Sequence, residues 1–262
     1  MTLRVLSYNI FAGGEGRLSQ LTHVIQSQRP DVVALLEARS RSHAEVLARA
    51  LQMELVFGES NNGLDHVAWL SRLPVVRVKN HRLPIFAKTL LEIEIIWEER
   101  PLILFATHLK AGRGEEKEQR RVEEIQAILS ILQACGDQSH LLMGDLNSLH
   151  PQDRPNAPMY LATEPEERGD DLYNADRRQA LLPLLSAGYV DCYRALHSTE
   201  PGYTYKLPTP GLRLDYIFAS PSLAQRLSAC DLISAGEAET ASDHYPIWAE
   251  FLAEIALYRS PK

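Results

Sequence analysis

The sequence predicts an α/β protein, one domain of mixed strands and helices over residues 1–262. Three observations predict it. Short continuous apolar runs, Asp31–Glu37, Pro101–His108 and Leu141–Asp145, read as strands covered on both faces. Segments with helical apolar spacing fall between them, clearest over Glu115–Ala134. No Pro/Gly/Ser-rich linker divides the chain, and 262 residues fill one large α/β domain.

The elements follow in order. Leu3–Asn9 reads as a strand, and Gly13, Gly14 and Gly16 as a turn. Leu18, Leu21, Val24 and Ile25 set a helix over Leu18–Gln28, which Pro30 stops. After the Asp31–Glu37 strand, Ser42–Leu51 is helical. Met53–Phe57, His66–Leu70, Val75–Val78 and Thr89–Trp97 read as strands, followed by Pro101–His108. In the Glu115–Ala134 helix, Val122, Ile125, Ile128, Leu129 and Leu132 share one face, and the charges of Glu115–Arg121 are expected in solvent. Leu141–Asp145 is a strand, His150–Asp170 a long loop and Asp176–Ser186 a helix. Asp215–Ala219 and Ile247–Phe251 are late strands.

Composition narrows the function. Lys and Arg total 27 against 34 Asp and Glu, a net charge of −7, which argues against a dedicated nucleic-acid-binding protein with a basic face. Carboxylates gathered around a cation would give the same balance. No apolar run approaches the roughly 20 residues of a membrane span. Met1–Arg4 leads directly into a strand-like segment, so no signal peptide is expected. Cys135, Cys192 and Cys230 are scattered and odd in number, which fits reduced thiols in a cytoplasm.

Four buried-looking strands end alike, in Asn9, Glu37, His108 and Asp145, with Asn147 just beyond the last. Catalytic groups collect at strand ends, where the scaffold is rigid and loops leave room. Asp215 lies within Arg213-Leu214-Asp215-Tyr216, and Asp243 and His244 within Ser242-Asp243-His244-Tyr245-Pro246. Carboxylates and carboxamides are hard oxygen ligands that suit Mg²⁺ or Mn²⁺ better than Zn²⁺. Histidines among carboxylates suit proton transfer near neutral pH. A hard cation beside His and Asp is a set for hydrolysing a phosphate ester.

These segments, with Ser7-Tyr8-Asn9, Leu35-Leu36-Glu37, Val67–Arg72, Thr107-His108-Leu109 and Gly144-Asp145-Leu146-Asn147, resemble the endonuclease/exonuclease/phosphatase superfamily. That superfamily includes apurinic endonucleases, pancreatic-type deoxyribonuclease, sphingomyelinases and inositol polyphosphate phosphatases. The motifs stand in its order and span nearly the whole chain. The resemblance implies a four-layer α/β/β/α sandwich, two mixed sheets packed face to face with helices outside. It implies that Glu37, Asn9 and Asp243 hold the metal, and that Asp145 orients or deprotonates the attacking water. It gives Asn147 the phosphate oxygen, has Asp215 orient His244, and sets His108 to assist the leaving group.

Two departures stand out. Apurinic endonucleases usually carry a second Asn where this chain has Phe11, and Gln where it has Leu36. In pancreatic-type deoxyribonuclease a glutamate pairs with the counterpart of His108, and Asp65 is the candidate here. Arg17, Lys110 and Arg113 are candidates for extra phosphate contacts, and Tyr203 and Tyr205 with Lys206 for base stacking. His23, His43, His140, His150 and His197 lie outside the motifs and are expected at the surface. The expected function is a Mg²⁺- or Mn²⁺-dependent phosphodiesterase or nuclease whose phosphoester substrate is DNA or RNA. The alternative is a hydrolase of a small phosphorylated molecule or lipid headgroup. No protein partner is evident.

Overall fold

The computed structural model describes residues 2–156 and 178–254. Within them lie two six-stranded mixed sheets with helices on their outer faces, which is the four-layer sandwich expected. In chain order the strands are β1 (Thr2–Asn9), β2 (Val32–Leu36), β3 (Glu54–Gly58), β4 (Val67–Ser71), β5 (Val75–His81), β6 (Leu90–Trp97) and β7 (Arg100–His108). They continue with β8 (His140–Asp145), β9 (Val190–Asp191), β10 (Asp215–Ala219), β11 (Leu227–Leu232) and β12 (Ile247–Leu252). One sheet runs β11-β12-β1-β2-β4-β3, the other β5-β6-β7-β8-β10-β9. Among the described residues only β1–β2 and β7–β8 pair in parallel.

Strand alternation explains the continuous apolar runs. In β2, Val32, Ala34 and Leu36 point between the sheets, while Val33 and Leu35 point outward. The outward pair is covered by α1 (Leu18–Gln28) and α2 (Arg41–Leu51), through Leu21, Val24, Ile25, Leu47 and Leu51. Ser40 caps α2, its hydroxyl accepting from the His43 amide at 3.3 Å. On the other sheet, Ile103, Phe105 and Leu142 meet Ile125, Ile128 and Leu132 of α3 (Glu115–Gln133). Burial of each such side chain contributes about 1.5–3 kcal/mol. Between the sheets, Trp69 donates through Nε1 to the Leu91 carbonyl at 3.0 Å.

The structure corrects several expectations. The α3 charges are not all in solvent: Arg121 is buried and bonds Glu118 at 2.8 Å, and Glu124 is buried too. His140 and His150 are buried rather than exposed. The expected Asp176–Ser186 helix is α4 (Leu182–Ser186), with residues 176–177 outside the described residues. The expected long loop is described only through residue 156. Strands β9 and β11 and the short helices α5 (Cys192–Leu196), α6 (Pro221–Ala224) and α7 (Ala238–Ala241) were not expected.

Candidate active site

Register brings the strand-end groups together. The parallel pairing of β7 with β8 sets His108 beside Asp145, and the antiparallel pairing of β10 with β8 sets Asp215 beside Asp145. On the facing sheet, β1 carries Asn9 opposite Leu36, so Glu37 follows at the same end. The turn before β12 arrives there as well, where Ser242 Oγ donates to the Asn9 carbonyl at 2.6 Å. Gly144, at φ 147°, precedes Asp145 where a Cβ would run into the Thr107 carbonyl. Close approach of β7 and β8 at the site therefore needs glycine there.

Glu37 and Asn147 adopt left-handed backbone, with φ of 55° and 49°. Such residues cost about 1–3 kcal/mol and persist where surrounding bonds hold them. Glu37 Oε2 accepts from the Ala12 amide at 2.9 Å, and the Asn147 amide donates to Asp145 Oδ1 at 3.0 Å.

Asp145 Oδ2 lies 3.1 Å from Asn9 Nδ2, 3.3 Å from His108 Nε2 and 3.8 Å from His244 Nε2. Asn9 Nδ2 also donates to Glu37 Oε1 at 3.3 Å. His244 Nδ1 bonds Asp215 Oδ2 at 2.7 Å. Burial opposes charge on His244, yet Asp215, Asp145 and Asp243 together raise its pKa to about 10. Burial and the negative charge of Asp215 push Asp145 upward against the pull of His244 and Lys88. Burial chiefly, with the charge of Lys88, holds His108 well below the usual histidine range.

All eight expected site residues thus meet. Glu37, His108, Asp145, Asn147, Asp243 and His244 line a cleft of about 340 Å³, and Asn9 and Asp215 bond to its walls. Of the other candidates, Arg113 and Tyr205 line the cleft. The Tyr205 ring lies 4.6 Å from that of His244. Arg17 instead bonds the Phe11 and Ala241 carbonyls, and Tyr203 bonds the Arg154 carbonyl. Lys110 and Lys206 are not among the lining residues. Asp65 bonds Arg39 Nε at 2.8 Å, and among the described residues His108 Nδ1 is buried with no hydrogen-bond partner, so no acid pairs with it there; Asp145 Oδ2 lies 3.3 Å from its Nε2.

The sequence reading missed Arg39, Glu118, Arg121 and Arg178 in the wall, with an apolar patch of Leu149, Leu212 and Leu214. Glu118 accepts from Ser148 Oγ and from the Gln179 and Ala180 amides, while Arg121 holds the Lys110 and Gly112 carbonyls. Their i, i+3 spacing was a readable pairing signal.

The donor chemistry fits a hard divalent cation. Asp243 Oδ1 is buried and has no hydrogen-bond partner among the described residues, and burial together with the nearby Glu37 raises its pKa. A cation between Glu37 and Asp243 would satisfy both, with Asn9 beside them. A second group, Asp145, Asp215 and His244, places its ligand atoms within 4.8 Å of one another. There Asp215 bonds His244 Nδ1 and raises the pKa of the imidazole, which favours its protonated form over metal ligation.

Comparison with known proteins agrees with the fold and the motifs. The model of the Endonuclease/Exonuclease/phosphatase family matches residues 6–244, and the chain belongs to that family. An exodeoxyribonuclease of Streptococcus pneumoniae is 26% identical over 150 residues, covering 53% of this chain and 51% of that protein. The chain thus spans about half the length of the curated relatives it matches. An AP endonuclease from Archaeoglobus fulgidus superposes with a TM-score of 0.75 at 22% identity, over 95% of this chain and 99% of the other. A 3′ phosphatase from Neisseria, bound to a product DNA hairpin, gives 0.74 at 19%, over 96% and 100%. The human nocturnin catalytic domain gives 0.71 at 22%, over 96% and 93%.

Proposed function

We propose that the chain is a divalent-metal-dependent phosphoric ester hydrolase, a phosphodiesterase acting on nucleic acid, with Mg²⁺ as its cation and Mn²⁺ as a substitute. One domain over residues 1–262 carries the activity. The reading rests on one juxtaposition: the oxygen set Asn9, Glu37 and Asp243 faces the His244–Asp215 pair, 2.7 Å apart, across Asp145. The exodeoxyribonuclease relative and the DNA-bound neighbour support DNA as the substrate class.

Each residue then has a task. Glu37, Asn9 and Asp243 would hold the cation, which when bound would supply positive charge against the phosphoryl oxygens. Asp145 takes the proton of the attacking water at Oδ2. Asn147 donates from Nδ2 to a phosphoryl oxygen. Asp215 fixes His244 Nδ1–H, leaving Nε2–H for the phosphate as charge develops. His108, whose Nε2 lies 3.3 Å from Asp145 Oδ2, contacts the phosphate on the side of the attacking water rather than at the leaving oxygen the resemblance gave it.

No helix among the described residues is long and apolar enough to cross a membrane. The three free cysteines fit a reducing compartment, and the cytoplasm is the proposed location.

The test is hydrolysis of bis(p-nitrophenyl) phosphate and p-nitrophenyl phosphate with Mg²⁺, Mn²⁺ or chelator. Chelator-sensitive turnover of the diester supports the reading. Linear and circular DNA then separate exonuclease from endonuclease action, with activity falling as salt rises. Turnover of the monoester alone would overturn it in favour of a small-molecule phosphatase.

A further inference from the structure

Lys88 stands two residues before β6 and is only 5% exposed. Its ammonium donates to the Leu109 carbonyl at 3.1 Å, and among the described residues no carboxylate pairs with it. Burial lowers its pKa, against the more distant pull of Asp145, Asp65, Glu37 and Glu124. A buried ammonium without an ion pair is costly, and an apolar side chain of similar shape would pack there more cheaply. Folding therefore gives no reason for a charge at this position.

The contact it makes leads to the cleft. The Leu109 carbonyl also accepts from Asn147 Nδ2 at 3.3 Å, and the Leu109 amide donates to the Asp145 carbonyl at 3.0 Å. A carbonyl oxygen has two lone pairs. Lys88 and Asn147 take one each, which fixes the amino end of the Asn147 carboxamide. Glu124 clamps the two flanking segments, accepting from the Ala87 amide at 2.7 Å and from the Lys110 amide at 2.9 Å. Lys88 and Leu109 are thus held against each other from behind.

We infer that Lys88 is a positioning residue: its ammonium fixes the Leu109 carbonyl and, through it, the carboxamide of Asn147 at the phosphate side of the cleft. The inference rests on the hydrolase reading for its catalytic consequence, but the geometry can be tested without turnover.

The experiment compares Lys88→Met and Lys88→Arg with the wild type in the full chain. Four quantities are measured: kcat and KM on bis(p-nitrophenyl) phosphate with Mn²⁺, the melting temperature, and the ¹H–¹⁵N signals of the Asn147 side-chain amide, assigned through Asn147→Asp. The expected result for Lys88→Met is a kcat loss of about 10-fold or more with KM held within about 3-fold. Its melting temperature stays level or rises, because an unpaired buried charge is gone. Lys88→Arg recovers part of kcat, and only the Met variant shifts or broadens the Asn147 amide signals. Wild-type kcat in Lys88→Met, or a kcat loss that tracks a fall in melting temperature and is not recovered by Arg, would overturn the inference. If the wild type hydrolyses neither ester, its loops demand a specific natural substrate and these kinetics do not read Lys88. The Asn147 signals then decide the positioning role, and unchanged signals in Lys88→Met end it.

Discussion

Asp145 Oδ2 is the point on which three side chains converge, from Asn9, His108 and His244. Such a carboxylate is poised to exchange a proton. Burial and Asp215 favour its protonated form, while His244 favours its charge. An amide at this position keeps the shape but cannot accept a proton, and it relieves the repulsion between Asp145 and Asp215. Asp145→Asn is therefore expected to lower metal-dependent kcat by about 10²-fold or more without loss of melting temperature. His244→Ala should fold and lose activity to a similar degree. It also strands Asp215 as a buried carboxylate without its partner, at a cost of about 2 kcal/mol in urea unfolding. Full turnover in either variant would show that the proposed proton path is wrong.

At the scale of elements, what could be read depended on length and period. Strands β1 and β2 and helices α1, α2 and α3 lie within about a residue of expectation, because each repeats its apolar pattern over several residues. The two-residue β9 has no period, and the edge strand β11 is mostly half-exposed, so neither carries a strong signal. The strand-end groups of the site were legible because they interrupt apolar runs. Lys88 and Arg213 were not, since a buried cation reads as a surface one until its partners appear. For Arg213 these are Asp153 at 2.9 Å and Asp191 at 2.7 Å, both distant in sequence. The same blindness hid His140 at the start of β8. Its Nδ1 bonds the Gln138 carbonyl and its Nε2 the Tyr189 hydroxyl, each at 2.7 Å, an arrangement suited to the neutral ring. Burial lowers its pKa, against the Gln138 bond. The unfolded chain then holds the proton more tightly than the folded one. The stability His140 lends is present above its unfolded pKa of about 6.5 and is lost as pH falls through the lower folded value. His140→Gln keeps a donor and an acceptor without titrating. Below pH 6.5, wild-type stability should fall relative to this variant by at most about 1.4 kcal/mol per pH unit. Parallel urea-unfolding stabilities from pH 7 to 5 would show that His140 does not titrate on unfolding.

The whole molecule brings its candidate cation ligands from opposite parts of the chain: Glu37 follows β2, and Asp243 precedes β12. Among the described residues the cleft lining is close to electrically neutral: five carboxylates (Glu37, Glu115, Glu118, Asp145 and Asp243) face four guanidiniums (Arg39, Arg113, Arg121 and Arg178) and His244, whose pKa its acidic neighbours raise. A divalent cation would tip this balance positive, which lets a chain of net charge −7 receive a phosphate. Because the two carboxylates meet only in the folded state, cation binding should appear as stability. At a concentration about 100 times its Kd, Mg²⁺ or Mn²⁺ should add about 2.7 kcal/mol. For a chain of this size that is a rise in Tm of about 5–10 °C, with no substrate present. Glu37→Gln and Asp243→Asn should each remove most of the rise, while Asp215→Asn should leave it. The reverse pattern, a shift lost with Asp215→Asn and kept with Glu37→Gln, would move the cation to the Asp145–Asp215–His244 group. The His244–Asp215 pair would then be a ligand set rather than a proton relay.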